Sequence, residues 1–418
     1  MLISARLTHK ISAGGIQSER AASPSHPQNV KLKPSSTVSI AVPTGGLLFL
    51  GAGASKPFGP PTMPEYPNLF RNFLEQREPS LLQVYDGLRD VLRAFPEGND
   101  LEALYSILQD LKDPQKGILN PAVAYQLSAV KNLSVNEVIE VLGSSKLGQS
   151  AALLSLLEEF IHAACEIKDE AKLLRSYDQL LDGSTWSWSK KVPGGTMGIG
   201  GWGRIVTCRT NPPGWIPEVP IVTTNYDLAV ERYLRYRQAD VNDGFEKNPG
   251  GRVLLTPSVL RAETQSPAIK LIKLHGSIDW RKTADGEVIL GEGRIGTVTR
   301  RWESIIGDAI VFPTRNKSTA NRPFFELLSI FADFLREKQF WLVIGYSFRD
   351  ENLRRLFLDT LGEERYLVVM SPHASRMVDT LRNEATPPTS REHIVPVDAE
   401  FGDPDGMKRL RDRLREGL

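Results

Sequence analysis

Four short apolar runs along this chain end abruptly at compact polar or glycine-bearing motifs. Gly46-Leu47-Leu48-Phe49-Leu50 runs into Gly51-Ala52-Gly53-Ala54-Ser55, and Pro220-Ile221-Val222-Thr223-Thr224 runs into Asn225-Tyr226-Asp227. Ile269-Lys270-Leu271-Ile272-Lys273-Leu274 runs into His275-Gly276-Ser277. Phe340-Trp341-Leu342-Val343-Ile344 runs into Gly345-Tyr346-Ser347-Phe348-Arg349-Asp350. In an open parallel sheet, ligands bind beyond the carboxyl ends of the strands, so motifs placed there converge on one pocket although they lie far apart in sequence.

Between the first and second motifs the pattern changes period. From about residue 63 to residue 182 it is mainly helical. Asn99-Asp100-Leu101-Glu102 has the form of a capping box. The helix it opens would place Leu101, Leu104, Tyr105, Leu108 and Leu111 on one face, and Leu153, Leu157, Phe160, Ile161 and Ala164 make a second such stripe. Both stripes read as core packing. Residues 183–217 are rich in Gly and Trp (Trp186, Trp188, Trp202, Trp215), as expected of aromatics anchoring an irregular loop. From Pro220 onward strand-like and helix-like segments alternate, with further candidate strands at residues 309–312, 366–370 and 393–397. That alternation predicts an α/β fold around a mostly parallel sheet. In the last segment Met407, Leu410 and Leu414 align between arginines, which predicts an amphipathic helix docked on the domain surface.

Composition narrows the function classes. The formal net charge is +1, so no global field draws the chain to DNA or an anionic membrane, although local basic patches leave nucleic acid open. The two cysteines, Cys165 and Cys208, cannot build a four-cysteine zinc site and do not suggest a secreted disulfide framework. No apolar run has the length needed to span a bilayer, and a cytoplasmic location is the default expectation. Residues 1–40 are basic and rich in Ser, Ala and Pro, the bias of a flexible tail.

Each strand-end motif has a bland reading beside its functional one. Gly51, Ala52, Gly53 and Ser55 could bring backbone N–H groups against a pyrophosphate, or could serve a plain strand-to-helix turn. Lys56 stands where the dinucleotide fingerprint needs its third glycine, which disfavours an ordinary dehydrogenase. Asn225 and Asp227 could orient a ribose, a water or an amide, or could cap the next helix. Among the six histidines, only His275 sits between an apolar strand and a glycine, and a neutral imidazole there can act as a base. Ser347 and Asp350 have capping-box spacing, and the same helix start could hold an adenosine ribose or a phosphate.

In this order, Gly51-Ala52-Gly53-Ala54-Ser55, Thr224-Asn225-Tyr226-Asp227, His275-Gly276 and Gly345-Tyr346-Ser347 resemble the motifs of the sirtuin-type NAD-binding family. Thr-Thr-Asn-Tyr-Asp, Leu-His-Gly-Ser and Gly-Tyr-Ser-Phe-x-Asp bring the likeness closer to the bacterial sirtuin-like branch of anti-phage defence proteins. It covers roughly residues 45–62 and 219–370. The resemblance implies a Rossmann-like core at residues 41–62 and 218–400, a mainly helical insertion at 63–217 and a C-terminal helix at 401–418.

It further implies that Asn225 positions a ribose or attacking water, that His275 is the base and that Asp227 contacts the nicotinamide amide. Gly51, Ala52, Gly53 and Ser55 would line the pyrophosphate and ribose, and Gly345 and Ser347 the adenosine half. The missing zinc ribbon departs from the protein-deacylating members, so no zinc is expected. The activity implied is NAD+ glycohydrolysis, with NAD+ as substrate, in a homo-oligomer and with a partner such as a HerA-type ATPase. A protein deacylase or ADP-ribosyltransferase, and a non-catalytic sensor of NAD-derived nucleotides, are the competing expectations.

Overall fold

The structure, a computed structural model, describes residues 45–92, 147–181, 215–249, 251–262, 268–283, 285–291 and 323–416. It also describes positions 101, 104, 105 and 108 and the short strands at 190–192, 195–197, 205–207 and 305–310. The chain enters through β1 (Gly46–Leu50) and the short helix α1 (Ala52–Ser55), then α2 (Tyr66–Arg77), α3 (Leu82–Leu92), α4 (Leu147–Ala164) and α5 (Glu170–Leu180). Two short antiparallel pairs follow, β2 (Lys190–Val192) with β3 (Gly195–Met197) and β4 (Ile205–Thr207) with β5 (Trp215–Pro217). Then come β6 (Ile221–Thr223), α6 (Ala229–Tyr236), β7 (Val241–Asn242), β8 (Phe245–Lys247), β9 (Val253–Leu255), β10 (Ile269–Lys273), β11 (Gly276–Thr283), β12 (Val288–Leu290) and β13 (Ile305–Ile310). The chain closes with α7 (Phe324–Glu337), β14 (Phe340–Ile344), α8 (Glu351–Leu361), β15 (Tyr366–Ser371), α9 (Ala374–Glu384), β16 (Ile394–Asp398) and α10 (Pro404–Glu416).

Among the described residues, seven strands form one sheet in the order β16-β15-β14-β1-β6-β10-β7, parallel at every pairing. Its central strands are apolar almost throughout because each face is covered, as parallel sheets require. Side chains alternate across the pleat. Leu47, Phe49, Trp341 and Val343 pack with Phe331, Phe357 and Val378 of α7, α8 and α9. Leu48, Leu50, Leu342 and Ile344 pack on the opposite face with Tyr177 of α5, Tyr233 of α6 and Leu410 of α10. Met407, Leu410 and Leu414 are buried there, so the C-terminal amphipathic helix docks as its pattern predicts. The chain leaves β1 toward β6 and later returns to β14 on the other side of β1. This reversal of strand order makes a topological switch point in a Rossmann-like α/β fold, and the crevice beyond it is the usual ligand position.

A third apolar cluster joins α2, α3 and α4 with Leu101, Leu104, Tyr105 and Leu108, as the helical stripes predict. Leu111 and the expected capping box at Asn99 lie outside the described residues, apart from Leu101. Of the four tryptophans in the Gly-rich stretch, only Trp215 falls in a described element, β5.

One strand expectation needs correcting. The alternating pattern places residues 309–312 in the parallel series, but the observed strand is Ile305–Ile310 and it pairs antiparallel with β11. It belongs to a second sheet in the order β13-β11-β12-β9-β8. The cause lies at Gly276, whose φ of +81° turns the chain sharply after β10 and directs β11 away from the parallel sheet. The two remaining candidates lie in the parallel sheet as β15 and β16.

Candidate active site

Register alone brings the four motifs together. Leu50 is level with Ile344 on one side and with Thr223 on the other, and Thr223 is level with Lys273. The residues that follow these four positions therefore leave the sheet side by side. They are Gly51, Thr224, Leu274 and Gly345.

The first and fourth motifs interlock through their backbones. Gly51 N–H donates to the Ile344 carbonyl at 2.9 Å, and Gly53 N–H donates to the Gly345 carbonyl at 2.9 Å. A Cβ on Gly51 would lie 2.6 Å from the Tyr346 Cα, and one on Gly345 would lie 2.2 Å from the Ala54 nitrogen. Gly345 also holds a φ of +64°. These glycines are thus required for two loops to touch. The Gly51 and Gly53 N–H groups are already committed to protein carbonyls, so in this geometry they are not the free phosphate donors that the motif suggests.

The second motif is held from both sides. The Thr223 hydroxyl donates to the Leu50 carbonyl at 3.0 Å and accepts the Asn225 N–H at 3.0 Å. The Asn225 Nδ2 donates to the Gly51 carbonyl at 2.9 Å and to the Ser55 Oγ at 3.0 Å. Both amide protons are spent on the β1 loop, which fixes the carboxamide plane and its orientation. The Asn225 Oδ1 is buried and has no hydrogen-bond partner among the described residues. A buried acceptor left unpaired costs about 1–3 kcal/mol, and such groups call for a functional reason. Asp227 is buried and its Oδ1 accepts the Ala229 N–H at 2.9 Å, so its carboxylate steadies the first turn of α6.

His275 follows β10 and is 7% exposed. Burial pushes its pKa down to about 4, against a smaller opposing pull from the Asp350 carboxylate. The imidazole is therefore neutral at neutral pH. Its ring lies 6.5 Å from that of Tyr226, whose side chain is buried in the α2–α4 cluster. Asp350 caps α8, its Oδ1 accepting N–H groups from Asn352 at 2.9 Å and Leu353 at 3.2 Å. This corrects the capping-box expectation for Ser347 and Asp350. The helix starts at Glu351, because Phe348 takes a left-handed φ of 55° and turns the chain before the helix can begin. Ser347 is exposed on that turn. Asp350→Asn should keep the cap, since both residues cap well, yet move the His275 titration below about 4. NMR titration of the imidazole reads this directly, and an unchanged value would mean that the Asp350 charge does not reach His275.

Pattern reading misses three groups here. Thr223 supplies the hydroxyl that fixes Asn225, and Lys273 and Glu231 form an ion pair buried to 3% and 7% exposure. A lysine in line with the buried Ile269 and Leu271 is the available signal. Cys165 is buried with its thiol pushed up to about 12, which leaves it unreactive at neutral pH. Cys208 lies outside the described residues. Among the described residues no group of three His, Cys, Asp or Glu side chains is placed to hold a metal. No helix among them is long and apolar enough to cross a membrane.

Residues 219–386 match the model of the SIR2-like domain family. This part of the chain is similar to SIR2-like domains. The match takes in the second, third and fourth motifs, and β1 with the first motif pairs with strands of the matched stretch. The chain is also similar to a Sir2 homologue solved as its NAD complex, at 12% identity over 89% of each chain and a TM-score of 0.37. A Sir2 homologue variant solved with ADP-ribose overlaps 88% of this chain and 92% of that one, at 11% identity and a TM-score of 0.38. No curated protein matches the chain.

Proposed function

We propose that this protein is an NAD+ glycohydrolase, which cleaves the nicotinamide–ribose bond and gives nicotinamide, ADP-ribose and a proton. The SIR2-like domain supports an NAD-using enzyme. The Asn225 Oδ1, without a partner among the described residues and on the strand end neighbouring that of His275, carries the choice of chemistry. An acceptor with both of its amide protons tied down is ready to receive a hydrogen bond from a ribose hydroxyl or a water.

The chemistry matches what these groups offer. Nicotinamide leaves as a neutral molecule from a cationic pyridinium, so no acid is needed to protonate it. Positive charge grows on the ribose, and an oxygen nucleophile must reach the opened carbon. Asn225 orients that oxygen and His275 takes its proton. An imidazole with a pKa of about 4 is a weak base. It suffices here because a water or hydroxyl bonding to an oxocarbenium becomes strongly acidic as the bond forms. Its neutrality also keeps a second cation away from the pyridinium.

In this reading Asp227 faces the nicotinamide amide with the oxygen not spent on Ala229. Ala52 and Ser55 lie along the pyrophosphate and ribose beside Gly51 and Gly53, and Gly345 and Ser347 border the adenosine half. The physiological role would be NAD+ depletion in anti-phage defence, in the cytoplasm, restrained by homo-oligomer assembly or by a partner such as a HerA-type ATPase.

Mass spectrometry of the purified chain incubated with NAD+ tests the proposal. Nicotinamide with free ADP-ribose supports hydrolysis, whereas acyl-ADP-ribose formed from an acylated peptide would replace it with deacylation. The pH dependence follows from His275. Its folded-state value of about 4 lies below the ordinary 6.5, so kcat/KM should stay level through pH 6.5 and fall only toward pH 4. Stability has the same sign. The unfolded chain binds this proton first, so the fold is progressively destabilised as pH drops from 6.5 toward about 4. An activity limb centred near 6.5 would show that a different group limits the reaction.

A further inference from the structure

The buried pair Lys273–Glu231 lies directly behind the two residues assigned to chemistry. Lys273 closes β10, two residues before His275, and points to the face where Leu271 packs with α6. Its Nζ donates to the Glu231 Oε1 at 2.8 Å and to the backbone carbonyl of Asp227 at 2.5 Å. Glu231 stands in the first turn of α6, and Asp227 is two residues after Asn225. One ammonium group thus spans the two adjacent strand ends. It ties the segment leading to His275 to the segment leaving Asn225.

Stability alone is a weak reason for this arrangement. Taking both charges out of water costs several kcal/mol each, and replacing a buried ion pair with apolar side chains is often neutral or stabilising. Apolar side chains are at home on both elements, since Leu271 of β10 and Val230 and Leu234 of α6 are buried in one apolar cluster. A hydrocarbon could fill the space but could not bond the Asp227 carbonyl. Burial raises the Glu231 carboxyl from its ordinary value and the Lys273 charge opposes that rise.

We propose that Lys273 and Glu231 form a positioning clamp that holds the Asn225 loop and the His275 turn at their reactive spacing. This rests on the assignment of those two residues to NAD+ cleavage. Both side chains are buried, so in this role neither Lys273 nor Glu231 would touch substrate. Misplacement of reacting groups by about 1 Å can cost on the order of 10²-fold in rate.

The test compares the full chain with Lys273→Met, Glu231→Gln and the double variant Lys273→Met/Glu231→Leu. The double variant removes both charges and guards against simple unfolding through a stranded ion. It should denature at nearly the wild-type concentration of urea, yet lose about 10–100-fold in kcat with KM within about threefold. Glu231→Gln keeps an acceptor for Nζ and should retain most of the activity. A second readout needs no turnover. NMR titration should find His275 of the double variant moved up from about 4 toward 6.5, as water reaches a loosened turn. If the folded double variant keeps both the wild-type kcat and the wild-type His275 titration, the clamp is refuted and the pair is structural. If wild type releases no nicotinamide, the hydrolase reading fails separately, and the titration still decides whether Lys273 and Glu231 set the position of His275.

Discussion

His275→Ala should lower kcat for NAD+ hydrolysis by about 10²–10⁴-fold, the usual worth of a positioned general base. In free energy that is about 3–5 kcal/mol of lost transition-state stabilisation. Asn225→Ala should fall in a similar range, because its carboxamide is held by the Gly51 carbonyl and Ser55 for one orientation only. The double variant should be little worse than the poorer single one, since residues that act on one proton transfer do not add. Binding separates this from collapse. Calorimetry should find NAD+ affinity within about tenfold of wild type for His275→Ala, because the base acts on the transition state more than on the bound substrate. The Asn225 variant should bind more weakly, having lost a buried acceptor that the fold leaves unpaired among the described residues. Wild-type turnover by a folded His275→Ala would remove the imidazole from the mechanism.

The arrangement explains why the site is built on strand ends and not on loops alone. Asn225 is fixed by bonds to residues about 170 positions earlier in the chain, and His275 sits behind a strand bonded to the one that carries Asn225. Tyr226 adds a further link. Lying between Asn225 and Asp227 in sequence, it buries its side chain in the cluster of α2, α3 and α4. The helical layer is thereby packed against the very turn that carries Asn225.

The parallel sheet and the meeting of four motifs are legible because strand ends announce themselves by a sharp change from apolar to polar residues. The stripe of Leu101, Leu104, Tyr105 and Leu108 is legible for the analogous reason at the helical period. The second sheet is not. Its strands β8, β9 and β12 have three residues each, and its antiparallel pairings, such as Trp280 with Leu290, join segments that no strand-end motif marks. The helix start after Gly345 escapes the pattern because spacing alone cannot show that Phe348 takes a left-handed turn. The roles of Gly51 and Gly53 are half visible. Their presence announces a tight approach of backbone, but only the fold shows that Gly345 is what they approach. Lys273 and Glu231 are invisible as a pair because their 42-residue separation carries no pattern, although a lysine in line with the buried Ile269 and Leu271 is itself an anomaly.

Gly345→Ala should be among the most destabilising single substitutions in the chain. Two costs combine at this position. A left-handed φ of +64° costs an alanine about 1–2 kcal/mol before any contact is considered. The new Cβ would then lie 2.2 Å from the Ala54 nitrogen and 2.4 Å from the Gly53 carbonyl carbon, both backbone atoms that cannot rotate aside. Relief requires the β1 and β14 loops to separate, which would break the Gly53 N–H bond to the Gly345 carbonyl and pull Gly51 away from the Asn225 amide. A total of about 4 kcal/mol or more is expected, a large share of the stability of an ordinary domain. Gly286→Ala supplies the control, because Gly286 has a φ of +85° and an added Cβ there would meet no neighbouring atom within 4 Å. That variant should lose only the conformational part, about 1–2 kcal/mol. Urea denaturation of the two variants side by side isolates the steric contribution. Equal losses would mean that the loops are not in contact at Gly345, and with that the seam that holds Asn225 in place would be lost as well.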